Sequence, residues 1–189
     1  MGRFQWIRTI AAVACLSLLM FTSSSIPADG PSPKATPLDR LRVLLGSWIG
    51  EGHGVPGTSA VEREYQWILD GRFIEAHNRS IYPPQQKNAK GEVHEHRDYF
   101  SWDRHRRRFV LRQFHVEGFV NQYVADSTGA TSDSLVFTSE AIENIPPGFR
   151  ARETYRLLGP DEFIERFELA EPGGAFELYS ETRLKRKTR

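Results

Sequence analysis

The stretch Val61-Glu62-Arg63-Glu64-Tyr65-Gln66-Trp67-Ile68-Leu69-Asp70-Gly71-Arg72-Phe73-Ile74-Glu75-Ala76-His77-Asn78-Arg79 decides the fold. Asp70-Gly71 is a two-residue hairpin signal, because the tight turn that matches the twist of two strands needs positive φ at both central positions. Folding the chain back there opposes Ile68 to Phe73, Trp67 to Ile74, Gln66 to Glu75, Tyr65 to Ala76, Glu64 to His77, Arg63 to Asn78 and Glu62 to Arg79. Two faces separate. Val61, Tyr65, Trp67, Ile74 and Ala76 share one, while Glu62, Glu64, Gln66, Glu75, His77 and Arg79 share the other, with charges matched across the strands as on a solvated sheet surface. A slip of one residue would exchange every side chain between faces, so this register also puts Arg63 and Asn78 on the apolar side.

The same period of two, punctuated by turn residues, continues through the chain. It predicts ten strands: 47–53, 60–69, 72–82, 93–102, 107–116, 119–126, 134–141, 149–158, 162–170 and 175–185. Short links such as Glu117-Gly118, Pro160-Asp161 and Glu171-Pro172-Gly173-Gly174 make sequence neighbours antiparallel neighbours. An all-β, ten-stranded, antiparallel up-and-down barrel follows, because closure removes the exposed edges; a two-sheet sandwich is the alternative. In the last three strands Leu157 is expected opposite Phe163, Tyr155 opposite Glu165, Phe167 opposite Leu178 and Glu165 opposite Ser180, so that Tyr155, Glu165 and Ser180 form an inward polar row.

One short N-terminal helix precedes the strands. Thr36-Pro37-Leu38-Asp39 is a start signal, with Thr36 as cap, Pro37 at the first position and Asp39 placed to reach back to the cap. Leu38, Leu41, Leu44 and Leu45 share a face until Gly46 ends it.

At 189 residues, with 25 basic and 24 acidic side chains and 39% hydrophobic residues, the chain has the makeup of a single globular domain. Its near-zero net charge offers no reason to bind nucleic acid or an anionic membrane. Arg3 and Arg8 precede an uncharged run from Ile10 to Phe21, followed by Ser23-Ser24-Ser25 and Ile26-Pro27-Ala28. This reads as a signal peptide over 1–28, cleaved near Ser25 or Ala28, since the run is short of the ~20 apolar residues a span needs. Cys15 lies inside the run rather than at its end, which argues against a lipoprotein. The expectation is an exported protein, periplasmic or secreted, with a linker over 29–37, a barrel over 38–187, no stable membrane span after processing and no disulfide, because Cys15 leaves with the leader.

The helix running into Gly46-Ser47-Trp48-Ile49-Gly50-Glu51-Gly52, together with Asp70-Gly71-Arg72-Phe73, Trp102-Asp103 and the basic closing strand Glu177–Arg186, resembles the calycin barrels. That group includes lipocalins, fatty-acid-binding proteins and nitrobindins, and the chain looks like an uncharacterised bacterial family of such barrels. The resemblance implies that Trp48 plugs the closed end against Arg183 or Arg186, a cation over an indole face. It implies a small, largely apolar or amphiphilic partner held inside. Nitrobindins hold haem through a His in the last strand, and the matching position here is Tyr179. Tyr can ligate ferric haem, but strict alternation turns Tyr179 away from the face of Leu178 and Ser180, so the adopted reading has no cofactor and a haem-binding barrel is the alternative.

The candidate ligand-binding residues are therefore Arg63, Tyr65, Trp67, Asn78, Tyr155, Glu165 and Ser180. Arg63, with only Asn78 opposite, has donors to spare for a ligand carboxylate; Glu165 is expected to be held by Tyr155, with Glu153 two rows away on the same face. His94, His96 and Asp98 fall at i, i+2 and i+4 of one strand, and imidazoles so spaced can chelate an ion. No partner on another strand can be tied to them by spacing, with His53, His105 and His115 falling at strand ends or turns, so the adopted reading is a solvated strand start and no metal. Arg104-His105-Arg106-Arg107-Arg108, opened by Asp103, reads as a solvated hairpin tip. With no Gly-x-Ser-x-Gly elbow and no cysteine after processing, no catalytic residue is assigned; the expected role is binding inside the barrel, with a structural envelope or interaction domain without ligand as a further alternative.

Overall fold

The computed structural model describes residues 36–126 and 133–188; the predicted leader and most of the predicted linker lie outside the described residues. The described chain is a 3-10 helix, Pro37–Leu44, followed by ten strands: β1 Gly46–Gly54, β2 Gly57–Ile68, β3 Phe73–Tyr82, β4 Glu92–Asp103, β5 Arg108–His115, β6 Val120–Ala125, β7 Ser134–Glu143, β8 Arg150–Gly159, β9 Glu162–Ala170 and β10 Glu177–Arg186. Each strand pairs antiparallel with its neighbour, and β1 pairs with β10, closing the barrel. No helix among the described residues is long and apolar enough to cross a membrane.

The hairpin register read from Asp70-Gly71 is the one observed, from Ile68↔Phe73 to Glu62↔Arg79. Asp70 and Gly71 have φ of 56° and 71°, the left-handed values the turn needs. The 3-10 winding of the first element explains its leucines. Leu38, Leu41 and Leu44 recur every three residues, and all three are buried. The Thr36 N–H donates to the Asp39 carboxylate at 2.6 Å, closing the first turn as expected.

Trp48 is 1% exposed and donates from its indole N–H to the Leu44 carbonyl at 2.7 Å. Arg186 lies 4.2 Å over its ring and donates to the carbonyls of Val43, Leu45 and Pro160, which ties the last strand to the helix and the β8–β9 turn. Arg186 fills the role; Arg183 instead pairs with Glu162 outside. Above this plug, Tyr65, Ile74, Phe100, Leu111, Phe137, Tyr155 and Phe163 fill the interior without exposed surface beyond 2%. The other end of the barrel is bounded by the loops β1–β2, β3–β4, β5–β6, β7–β8 and β9–β10.

One predicted register is corrected. β8 and β9 pair as expected, with Leu157↔Phe163 and Tyr155↔Glu165. Across the next turn, however, Phe167 faces Ser180 and Glu165 faces Thr182, because a bulge lies between Leu178 and Ser180 and the Glu171–Gly174 loop is longer than a tight turn. Thr182 therefore replaces Ser180 in the row with Tyr155 and Glu165. Before the bulge, the longer loop sets the register so that Phe176 lies outside, where Arg150 and Arg152 stack on it, and Leu178 faces Glu168 and is 45% exposed.

Candidate functional site

The open end leads into a cavity of about 860 Å³. Its upper wall is largely apolar, with Phe119, Ile142, Phe149, Phe167, Leu169 and Tyr179, and its floor is polar, with Arg63, Gln113, Glu153, Glu165 and Thr182. These groups come from inward-facing positions, which alternate along each strand, and hydrogen bonds from Arg63 to Glu165 and from Gln113 to Glu153 join two pairs of them.

Arg63 and Glu165 are the centre of the floor. Both are about 5% exposed, and the guanidinium donates to one carboxylate oxygen through Nε at 3.3 Å and Nη2 at 3.0 Å. Arg63 Nη1 donates to the Glu62 and Arg79 carbonyls. Burial alone would weaken the protonation of Arg63, but the Glu165 carboxylate more than offsets it and holds the guanidinium firmly charged. The sequence-based expectation that Tyr155 holds Glu165 is thus corrected: the Tyr155 hydroxyl has no partner, and each Arg63 nitrogen already donates to an acceptor of the protein. The arginine lies across the barrel on β2, beyond the reach of arguments from the β8–β9 hairpin alone.

Asp98 is 0% exposed, and burial, with the nearby Glu165 charge, pushes its carboxyl well above the usual carboxylate range. The Asn78 and Gln113 amides favour its ionised form but are not aligned as full hydrogen bonds, since both Asp98 oxygens lack one. Burial and the Glu165 and Asp98 charges likewise raise Glu153, whose Oε1 takes a long bond from Gln113 at 3.5 Å. Buried polar groups usually find partners; here Asn78, His96, Asp98, Glu153 and Glu165 all have polar atoms without one.

Of the predicted binding residues, Arg63, Glu165 and Ser180 line the cavity. Tyr65, Asn78 and Tyr155 are fully buried outside its wall, the tyrosine hydroxyls unpartnered. Trp67 is half-buried against the closed-end core, under the Arg42 guanidinium at 5.3 Å. Tyr179 lines the cavity, against expectation, because the bulge before Ser180 breaks the alternation that would have turned it outward. Its ring packs edge-on to Phe167.

His94 and His96 share the inner face of β4 with Asp98, as the i, i+2, i+4 spacing requires. A partner strand does exist. His115, the last residue of β5, stands directly opposite His96, and the three imidazoles meet on the cavity wall with ring centroids 4.9–5.5 Å apart. The expectation of a solvated strand start is corrected by this convergence. Its signal was the Asp103–Arg107 turn, where the Asp103 carboxylate accepts from the His105 and Arg106 amides and so sets the β4–β5 register. Burial pushes His96 well below the usual histidine range and His115 down to about 3, so both rings are neutral near pH 7. The basic cluster is the hairpin tip it was read as, with Arg106 held between Asp103 and Glu140.

No protein-family model and no curated protein matches the chain. Among solved structures, the crystal structure of Rv2717c from M. tuberculosis is 20% identical over 82% of this chain and 99% of its own, with a TM-score of 0.63. The structure of EF1p2_mFAP2b bound to DFHBI, 12% identical over 78% of this chain and 97% of that one, has a TM-score of 0.38. The chain thus shares the barrel fold of Rv2717c.

Proposed function

We propose that this protein is an exported barrel that carries or senses one small, largely apolar molecule, held inside the open end with its polar group on the floor. The observation that carries the reading is the cavity of about 860 Å³ with an apolar wall over a polar base, within the ~300–1,000 Å³ usual for small-molecule sites. The polar group is one that donates hydrogen bonds rather than a carboxylate. Arg63 is already engaged by Glu165, and the floor holds an unpartnered acceptor oxygen on Glu165.

Nile red, a neutral apolar dye, tests the cavity. A saturable 1:1 fluorescence rise is expected, weakened in Ser180→Trp, which puts an indole into the cavity from its wall. No saturable rise in the wild type, or an equal rise in Ser180→Trp, overturns the reading. Dodecanol is expected to displace the dye at least ~10-fold more tightly than dodecanoate, a difference of ~1.4 kcal/mol; the reverse order restores Arg63 as a carboxylate anchor. Export is checked by the intact mass of the protein recovered outside the cytoplasm, with loss of 25 to 28 residues expected.

A second reading is favoured by one observation, the bulge that turns Tyr179 into the cavity. A phenolate there can serve as an axial ligand to ferric haem, which would supply redox or gas-binding chemistry. Burial raises the Tyr179 phenol, so iron would have to displace its proton. A Soret band on reconstitution, lost in Tyr179→Phe, would support it; no band sinks it.

A further inference from the structure

We infer that His94, His96 and His115 form a site for one divalent transition-metal ion of zinc type, set in the cavity wall with a coordination position open to the cavity. The inference is independent of the apolar ligand.

The geometry is that of a site nearly assembled. Each histidine offers one nitrogen, and the three nitrogens lie within 4.8 Å of one another. His94 Nε2 and His115 Nδ1 are 3.5 Å apart. Zinc–nitrogen bonds of ~2.0–2.1 Å in a tetrahedron put ligand nitrogens ~3.3 Å apart, so this pair is already at chelating distance and a modest rotation of the His96 ring completes the set. The separation is also compatible with a hydrogen bond between the two rings, but such a bond leaves His96 unexplained. Only 10% of its side-chain surface is exposed, and neither ring nitrogen has a hydrogen-bond partner. A buried imidazole with both nitrogens unmet is costly unless something else meets them.

Each ring also has a polar neighbour placed to fix its tautomer, which is how metal-bound histidines are usually oriented. His94 Nδ1 donates to the Glu117 carboxylate at 2.7 Å, leaving Nε2 bare toward His115. His96 Nε2 lies 3.5 Å from Asp98 Oδ1 without a hydrogen bond, and a metal on Nδ1 would put the ring proton on the Asp98 side. With a metal on its Nδ1, His115 carries its proton on Nε2, and the Asn121 amide 3.3 Å away can turn its oxygen to accept it. All three rings, Glu117 and Asn121 line the cavity. Because all three rings line the cavity, the remaining position of a tetrahedral ion opens to it, where water or the polar group of a bound molecule can occupy it. Neutral imidazole donors with no thiolate suit zinc, and also cobalt, nickel and copper.

The test is titration of the folded, chelator-stripped protein with Zn²⁺ by calorimetry and with Co²⁺ by visible absorption. One ion per chain is expected, with Co²⁺ bands of four- or five-coordinate character. His96→Ala and His115→Ala should each weaken binding more than ~100-fold, and Glu117→Gln about 10-fold through the loss of tautomer control. His105→Ala, on the hairpin tip, should bind as the wild type does. His94→Gln and His115→Asn serve as second variants, each checked for native circular dichroism, should an alanine fail to fold. Absence of stoichiometric binding in the wild type, or wild-type binding by folded His115 variants, overturns the inference. Ser180→Trp should weaken Nile red and keep Co²⁺, so the two readings fail separately.

Discussion

Arg63 shows what a single residue does inside a closed barrel. Its guanidinium is almost fully buried and bound to Glu165, which is as buried as it is. Desolvation of both charges offsets much of their attraction, so the pair adds little net stability, but either partner alone would be a buried charge without compensation. Arg63→Met is therefore expected to destabilise by about 3–5 kcal/mol. The double variant Arg63→Met/Glu165→Leu should recover most of that loss. Urea unfolding of the three proteins measures it; a double variant no more stable than Arg63→Met would mean that the guanidinium acts through its bonds to the Glu62 and Arg79 carbonyls instead. Sequence reading placed Arg63 on the inner face correctly, from the matched charges around it, but could not supply its partner 102 positions away.

At the scale of elements, the barrel is closed by β1 against β10, and that seam depends on Gly50. Gly50 pairs with Leu184, and a Cβ added to it would overlap the Arg183 carbonyl oxygen, a backbone atom that cannot swing aside. Gly50→Ala is expected to cost about 2 kcal/mol or more, in the range of overpacked sites, with earlier loss of the β1–β10 amides in hydrogen exchange. Gly71→Ala, in open space but at φ 71°, should cost only about 1 kcal/mol. Equal effects at both would remove the seam argument. The bulge in β10 acts at this scale too. One irregularity moves Tyr179 into the cavity and puts Thr182, rather than Ser180, beside Glu165.

Over the whole molecule, the interior changes character along the barrel axis, from the leucine and Trp48 plug through an aromatic layer to the polar floor and the cavity. The floor makes global stability depend on pH. Glu153, raised by burial and by neighbouring charges, is protonated in the fold where it would be ionised in the unfolded chain. Its contribution is full below the ordinary carboxylate range and is lost as pH rises from there through the raised folded value. The exposed acids held low by partners, such as Asp103 and Glu162, act in the opposite sense and only at lower pH. Glu153→Gln is therefore expected to gain on the wild type as pH is raised from 5.5 to 8.5, read as urea midpoints. A constant difference across that range would show that Glu153 is ionised in the fold.

The sequence by itself determined what local pattern can encode: ten strands, the Asp70-Gly71 register, the inward placement of Arg63, Asn78 and Glu165, and the capped helix start at Thr36. These rest on period, turn chemistry and charge matching between neighbours in the chain, which act within a few residues of each turn. Tertiary structure alone decided the rest. Arg63 meets Glu165 across the barrel, His115 reaches His94 and His96 through the four-residue turn 104–107, whose signal in Asp103 the strand pattern alone did not use, and a bulge redirects Tyr179. The first joins strands far apart in the chain, the second depends on the exact register of a hairpin, and the third follows an irregularity; none is set by alternation alone.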